Sequence, residues 1–170
     1  MYMETFINIL AIAGLVETFI LIVGIVWAIV LWIRGIFPAL LRLGNGLAKR
    51  KIAIFAKSEN LVSLKSLLMD SKLFKEKNMI GITKKEDIGR AECATMYLVF
   101  WHDWQDEITE ILNKKPDECA LIVYAPYDKG RITDDQMKNL DGKRHTAVTN
   151  FRGRLLNDIV TAMITTSYEK

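Results

Sequence analysis

The chain is poor in the residues that staple small folds or build metal sites. Its 170 residues include only two cysteines and two histidines. Cys93 and Cys119 are too few for a disulfide scaffold. Together with His102 and His145 they show no zinc-ligand spacing, so no metal and no cofactor is expected. Net charge is scarce as well, at +3 for the whole chain. Residues 51–170 carry nineteen Lys or Arg against eighteen Asp or Glu, a balance that argues against nucleic-acid binding driven by bulk charge. The sequence has no Walker A lysine loop, no GxGxxG and no GxSxG elbow, and no catalytic residue is assigned. Internal repeats and low-complexity tracts are missing too, and a hydrophobic content of 51% excludes a disordered chain.

What is abundant is a long apolar run. Residues 5–33 read TFINILAIAGLVETFILIVGIVWAIVLWI, interrupted by one charge, Glu17. A helix of that length reaches about 44 Å, more than the roughly 20 apolar residues a span requires. The run is too long for the apolar part of a cleavable signal peptide, and no basic segment precedes it. One transmembrane helix is expected over 1–35, with Trp27 and Trp32 at one interface and Tyr2 at the other. Arg34, Arg42, Lys49, Arg50 and Lys51 follow the run, whereas only Glu4 precedes it. The positive-inside rule then puts the N-terminus outside and the C-terminal domain in the cytoplasm, at a bacterial inner membrane. Reduced cysteines suit that compartment. Gly35-Ile36-Phe37-Pro38 is expected to break the helix, and residues 36–50 form a basic amphipathic neck hinged at Gly44 and Gly46.

Glu17 stands out, because a charge near mid-span costs roughly 2.5–3.5 kcal/mol on insertion scales and rarely faces lipid. Ala13, Glu17, Gly24 and Ala28 recur at helical spacing and fall near one face. Such a small-and-polar stripe suits packing against identical helices, with Glu17 drawn toward a central axis to line a cation path. The plainer reading is a tolerated glutamate in a simple anchor.

Beyond the neck, apolar runs alternate with amphipathic segments. Strands are expected at 51–56, 78–83, 94–101, 119–125 and, more weakly, 145–151. Helices are expected at 58–74, with Ser58 as N-cap, at 105–118 up to Pro116, at 133–142 opened by Thr133, and at 153–168. Residues 84–93 read as a short helix or loop. Strands without alternating polarity, separated by helices, imply a parallel sheet covered on both faces. The fold class is α/β: an N-terminal transmembrane helix followed, over 51–170, by a five-stranded flavodoxin-like or TIR-like Rossmannoid of strand order 2-1-3-4-5.

Ligands of such sheets sit beyond the carboxyl ends of the strands, near the point where strand order reverses. That places Lys57, Ser58, Glu59 and Asn60 after the first strand and His102, Asp103 and Trp104 after the third. Tyr127, Asp128, Lys129 and Arg131 follow the fourth; Asn150, Arg152, Gly153 and Arg154 follow the fifth. TNFRGR, with two arginines at a helix N-terminus, is the best phosphate candidate; the alternative pairs those arginines with Asp128 or Asp158. WHDW offers rings to stack a nucleobase, unless Trp101 and Trp104 are core. YDKGR is either a ligand loop or a solvated turn. A phospho-receiver would need paired acids after the first strand, and here only Glu59 and Asp103 match. A TIR-type NAD hydrolase would need a pocket glutamate, and none is assignable.

One transmembrane helix, a basic neck and a cytoplasmic Rossmannoid within 170 residues resemble the small membrane effectors of bacterial anti-phage defence. That group includes the CARF-fused membrane effector of type III CRISPR systems and the membrane effector paired with a nucleotidyltransferase in the Hailong system. The resemblance implies a homo-oligomer, a tetramer, whose soluble domains bind a nucleotide or oligonucleotide signal made by a nucleotidyltransferase or CRISPR complex. The helices then form or open a pore, and the depolarised cell stops growing. By position, the resemblance falls on Glu17 and the loop residues above. Two other readings compete: a tethered hydrolase of NAD or a nucleotide working through Ser58, Glu59, His102 and Asp103, and a scaffold that recruits another protein.

Overall fold

The computed structural model describes residues 2–166, and for residues 2, 4–10, 42, 43 and 45–48 it describes the backbone alone. The end of the last expected helix, at 167 and 168, lies outside the described residues. The chain divides into two compact units, Met1–Leu41 and Arg42–Lys170.

The first unit is dominated by helix α1 (Tyr2–Gly35), whose apolar side chains are spread evenly around its circumference. A helix apolar all round must be buried in protein or in lipid, and none of the Ala11–Gly35 stretch is buried within the chain. Those 25 residues are long and apolar enough to cross a membrane. Thr18 returns its hydroxyl to the Gly14 carbonyl at 2.7 Å, which satisfies a polar group without solvent. The break expected at 35–38 shrinks to one residue, Ile36, before helix α2 (Phe37–Lys49) begins. Hydrogen bonds from Ile36 N to Trp32 O and from Leu40 N to Ile36 O carry the ladder across it. Pro38 permits this because it sits in the first turn of α2, where a missing N–H costs least. Gly44 and Gly46, expected as a hinge, are helical.

The second unit is a parallel sheet of β1 (Ile52–Phe55), β2 (Met79–Ile82), β3 (Met96–Phe100), β4 (Ala120–Tyr124) and β5 (Thr146–Thr149). Their order is β2-β1-β3-β4-β5, with every pairing parallel, as in Ile54 beside Leu98 and Tyr124 beside Thr149. Alternate residues feed two cores. Ala53, Phe55, Tyr97, Val99, Leu121 and Val123 meet Ile111 and Leu112 of helix α5 (Ile108–Lys114) and Leu140 of helix α6 (Asp134–Asp141). Ile52, Ile54, Met96, Leu98 and Ile122 meet Leu64 and Leu68 of helix α3 (Ser58–Asp70) and Leu155, Ile159 and Met163 of helix α7 (Arg152–Thr165). Because both faces are covered, the strands read as apolar runs without alternation. Truncating one of these fully buried aliphatics to alanine should cost about 2–5 kcal/mol.

Several elements depart from expectation for identifiable reasons. Residues 84–93 settle as a 3-10 run, Lys85–Cys93, that packs Ile88 and Ala91 into the first core. WHDW is neither strand end nor loop but a helical turn, α4 (Trp101–Trp104). Its two tryptophans, three apart, are both buried, and the helical turn aims them to one side. Neither indole N–H has a partner among the described residues. Each orphan donor costs about 1–3 kcal/mol, but burying a ring of roughly 150–250 Å² stabilises by roughly 4–6 kcal/mol, so burial wins. Thr133 caps α6 as expected, in a full capping box with Gln136. Ser58 does not cap α3; the cap position is Lys57, and Ser58 has φ +44°. Lys115 is buried, and its Nζ donates to the carbonyls of Pro116, Cys119 and Arg144 at 3.1, 2.7 and 3.1 Å. That ties together the segments leading into β4 and β5, although burial lowers its pKa.

Tyr97 carries a buried hydroxyl with no partner among the described residues, and burial pushes its pKa well above the usual tyrosine value. Its folded pKa exceeds its unfolded one, so stability is fully present below about pH 10 and declines as pH rises further. Tyr97→Phe should leave the melting temperature at pH 7 unchanged or higher, by the equivalent of up to about 1 kcal/mol. It should also move the onset of alkaline unfolding upward. Circular dichroism melts of the detergent-solubilised chain at pH 7 and pH 10.5 measure both.

Candidate functional site

Strand order reverses between β1 and β3, so the crevice at their carboxyl ends is the first place to look for a ligand. It is filled from within. Asp103 Oδ2 accepts the Lys57 backbone N–H at 2.7 Å, and the Asn60 amide donates to both carboxylate oxygens at 3.0 and 3.1 Å. The carboxylate therefore occupies the amino end of α3, the position where a bound anion is electrostatically favoured. This supplies the capping that Ser58 does not. Trp104 is fully buried, edge-on to Phe55 at 5.5 Å, with the Lys57 ammonium 5.3 Å from its ring centroid. It has no open face to offer a base. Ser58 and Glu59 are exposed at the start of α3. His102, also exposed, lies beside Gly130, where a Cβ would come within 3.8 Å of its Nδ1. Gly130 has φ +115°, a conformation that glycine alone adopts without strain.

The remaining candidates gather at the carboxyl ends of β4 and β5, around two hollows. A hollow of about 170 Å³ lies between α3 and α7 and is lined by Asn60, Ser63, Tyr124, Asp128, Lys129 and Arg152, among others. Arg152 is held there by donating to the Ser63 carbonyl at 3.0 Å. Burial raises the pKa of Tyr124, and the neighbouring Arg152 charge partly offsets this. The larger hollow, about 460 Å³, is lined by Ala125, Tyr127, Ile132, Met137 and Val148, with Arg131, Asp134, Asn150 and Gly130 completing it. Tyr127, which lines the larger hollow, makes an edge-to-face pair with Phe151, with ring centroids 5.7 Å apart. Both rings are solvent-exposed, at 76% and 60%.

The structure thus brings Asn60, Lys129 and Arg152 to one hollow and Arg131 and Asn150 to the other, on the opposite face of the sheet. Arg154 points away along α7 and pairs with Asp158 at 3.2 Å, one of the two partners considered from sequence. A third recess, about 190 Å³, lies at the amino end of β5, lined by threonines of β5 and α7, and holds none of the candidate residues. Among the described residues, no group of three or more His, Cys, Asp or Glu side chains is placed to hold a metal ion. Ala13, Glu17, Gly24 and Ala28 all lie on α1 and are exposed within the single chain.

Sequence reasoning did not single out Phe151, Tyr124, Met137 or Val148. Phe151 was legible as an aromatic directly before an arginine at a helix start. Val148, Met137 and Tyr124 were not, because strand and helix interiors give no sign of which side chain ends at a rim. No protein-family model, curated protein or solved structure matches the chain.

The cap at the crevice can be measured. Asp103→Ala removes the acceptor for Lys57 N–H and Asn60, and should destabilise the domain by about 1–2 kcal/mol. A melting temperature equal to that of the unaltered chain would show that the carboxylate does not hold α3.

Proposed function

We propose that the chain is an oligomeric membrane effector of anti-phage immunity, gated by a nucleotide-derived anionic signal bound beyond β4 and β5. In this reading α1 spans a bacterial inner membrane with the N-terminus outside and the sheet domain in the cytoplasm. Copies of α1, four of them by the resemblance, pack through Ala13, Glu17, Gly24 and Ala28 and form or open a pore. A nucleotidyltransferase or CRISPR complex supplies the signal. The observation that carries the ligand half of the proposal is the pair of hollows. They present Arg152, Lys129 and Arg131 beside exposed aromatic rings, at the sheet edge where this fold class binds ligands.

A physical link between site and membrane segment supports the gating half. Helix α7 begins with Arg152, at the smaller hollow. Thr166, just past its last residue, accepts from the Arg50 guanidinium at both Oγ1 and O, each at 2.5 Å. Arg50 is buried and follows α2 directly. One rigid helix therefore joins the candidate site to the point where the membrane-linked chain enters the sheet domain. The hydrolase reading draws no such support, because Asp103 is engaged in capping α3.

Two variants test this. On overexpression in a bacterial host the unaltered chain should depolarise the membrane, and Glu17→Leu, inserted at the same level, should not. A voltage-sensitive dye reports the difference, and continued depolarisation by the variant would remove the pore reading. Thr166→Val deletes one acceptor of Arg50 and should speed amide exchange at the end of α7. It should also weaken the depolarisation, while the overall circular dichroism spectrum stays unchanged.

A further inference from the structure

We infer that the larger hollow is by itself a complete site for a nucleoside monophosphate: its interior takes the flat heteroaromatic ring, Asp134 the sugar hydroxyls and Arg131 the single phosphoryl group. The inference rests on the reading of this edge as the ligand site, and deepens it by naming which hollow is filled and by what class of molecule.

The two hollows lie on opposite faces of the sheet and share no lining residue. Whichever of them holds a ligand must therefore supply every contact itself. Size separates them. About 460 Å³ lies within the usual range of roughly 300–1,000 Å³ for small-molecule pockets, whereas about 170 Å³ falls below it. The larger is walled by Ala125 directly after β4, Val148 of β5, Ile132, and Met137 of α6. These four also belong to the first core or pack against it, so the interior of the hollow is an apolar extension of that core. Such an interior suits the face of a ring and not a chain of phosphates. The exposed ring of Tyr127 adds a surface for stacking.

Three polar side chains on the same hollow each demand a different partner. The Arg131 guanidinium only donates, and phosphoryl oxygens match its fork. The Asp134 carboxylate only accepts, so it calls for donors, and the neighbouring hydroxyls of a sugar supply two. It is free for that role because α6 is already capped by Thr133 and Gln136. Asn150 both donates and accepts, which matches the edge of a nitrogen heterocycle. Arg131 and Asp134 are the charged residues of the lining, and they balance. One phosphoryl group is answered by Arg131, whereas further phosphates would have to share the hollow with a carboxylate of like charge. That balance sets the phosphate count at one. Asn150 also stands two residues ahead of Arg152, where α7 begins, so a ring bound there bears on the segment from which α7 starts.

The test uses the full chain in nanodiscs, with AMP, GMP, CMP and UMP as probes in equilibrium dialysis. The tightest of the four should bind about tenfold better than its nucleoside, and at least as well as its triphosphate. Its 2′,3′-dideoxy analogue should bind the unaltered chain about tenfold more weakly, and Asp134→Ala should abolish that difference. Arg131→Gln should abolish the advantage over the nucleoside. Val148→Phe, which fills the interior, should weaken the monophosphate about tenfold or more. Circular dichroism checks the fold of each variant, and Asn150→Ala replaces Val148→Phe if the latter does not fold. A dideoxy analogue that binds the unaltered chain as tightly as its parent overturns the inference. So does a monophosphate weakened by Arg152→Gln and indifferent to every larger-hollow variant; the ligand then lies on the other face, and the reading of this edge stands. Binding of triphosphates or dinucleotides without any monophosphate has the same meaning. If none of these nucleotides binds, both the inference and the ligand reading fall.

Discussion

The sheet domain is organised by burial of its central strands on both faces. β1, β3 and β4 expose almost nothing, so consecutive side chains must enter different cores. Helices have to cover each core in turn, α3 and α7 on one side and α5 and α6 on the other. Once every strand is parallel and every connection crosses over, all the strand-to-helix turns collect at one edge. The chain arriving from α2 enters at the other. The position of any ligand site and its separation from the end where the chain enters the sheet both follow from that single requirement.

Within that edge an internal carboxylate decides which crevice is open. At the reversal point between β1 and β3, Asp103 takes the Lys57 amide and the Asn60 side chain. The field at the amino end of α3 is thereby spent on the protein's own charge. Trp104 completes the closure by packing under Lys57 and against Phe55. The cations that remain available lie one strand further on, around β4 and β5, and the aromatic pair stands there too. Near neutrality of residues 51–170 is compatible with this arrangement, because what matters for a small anion is the local set of Arg152, Lys129 and Arg131 rather than the sum over the surface.

The apolar helix poses a separate problem, since its hydrophobic residues cover the whole circumference. Glu17, midway along it, is the side chain that hydrocarbon would accommodate least well. The buried Arg50 has a comparable role at the other unit. A guanidinium taken out of water needs firm acceptors, and Thr166 supplies both its hydroxyl and its carbonyl at the end of α7. The first residue after α2 is consequently fastened to the helix that carries Arg152.

Sequence alone determined the apolar run, the five strands and their parallel order, and the opening of α6 at Thr133. These depend on composition and on neighbours a few residues apart, so period and local chemistry suffice to read them. It also placed the candidate loops at the carboxyl ends of the strands. Tertiary structure alone decided what each loop residue does there. Asp103 meets Lys57 across 46 residues of chain, and Arg50 meets Thr166 across 116. Trp104 turned inward, Arg154 turned toward Asp158, and Phe151 found Tyr127. A side chain at a loop can bond to its own helix, fill the core beneath it or face solvent at similar local cost. The choice is made by whichever distant partner the completed fold brings within reach.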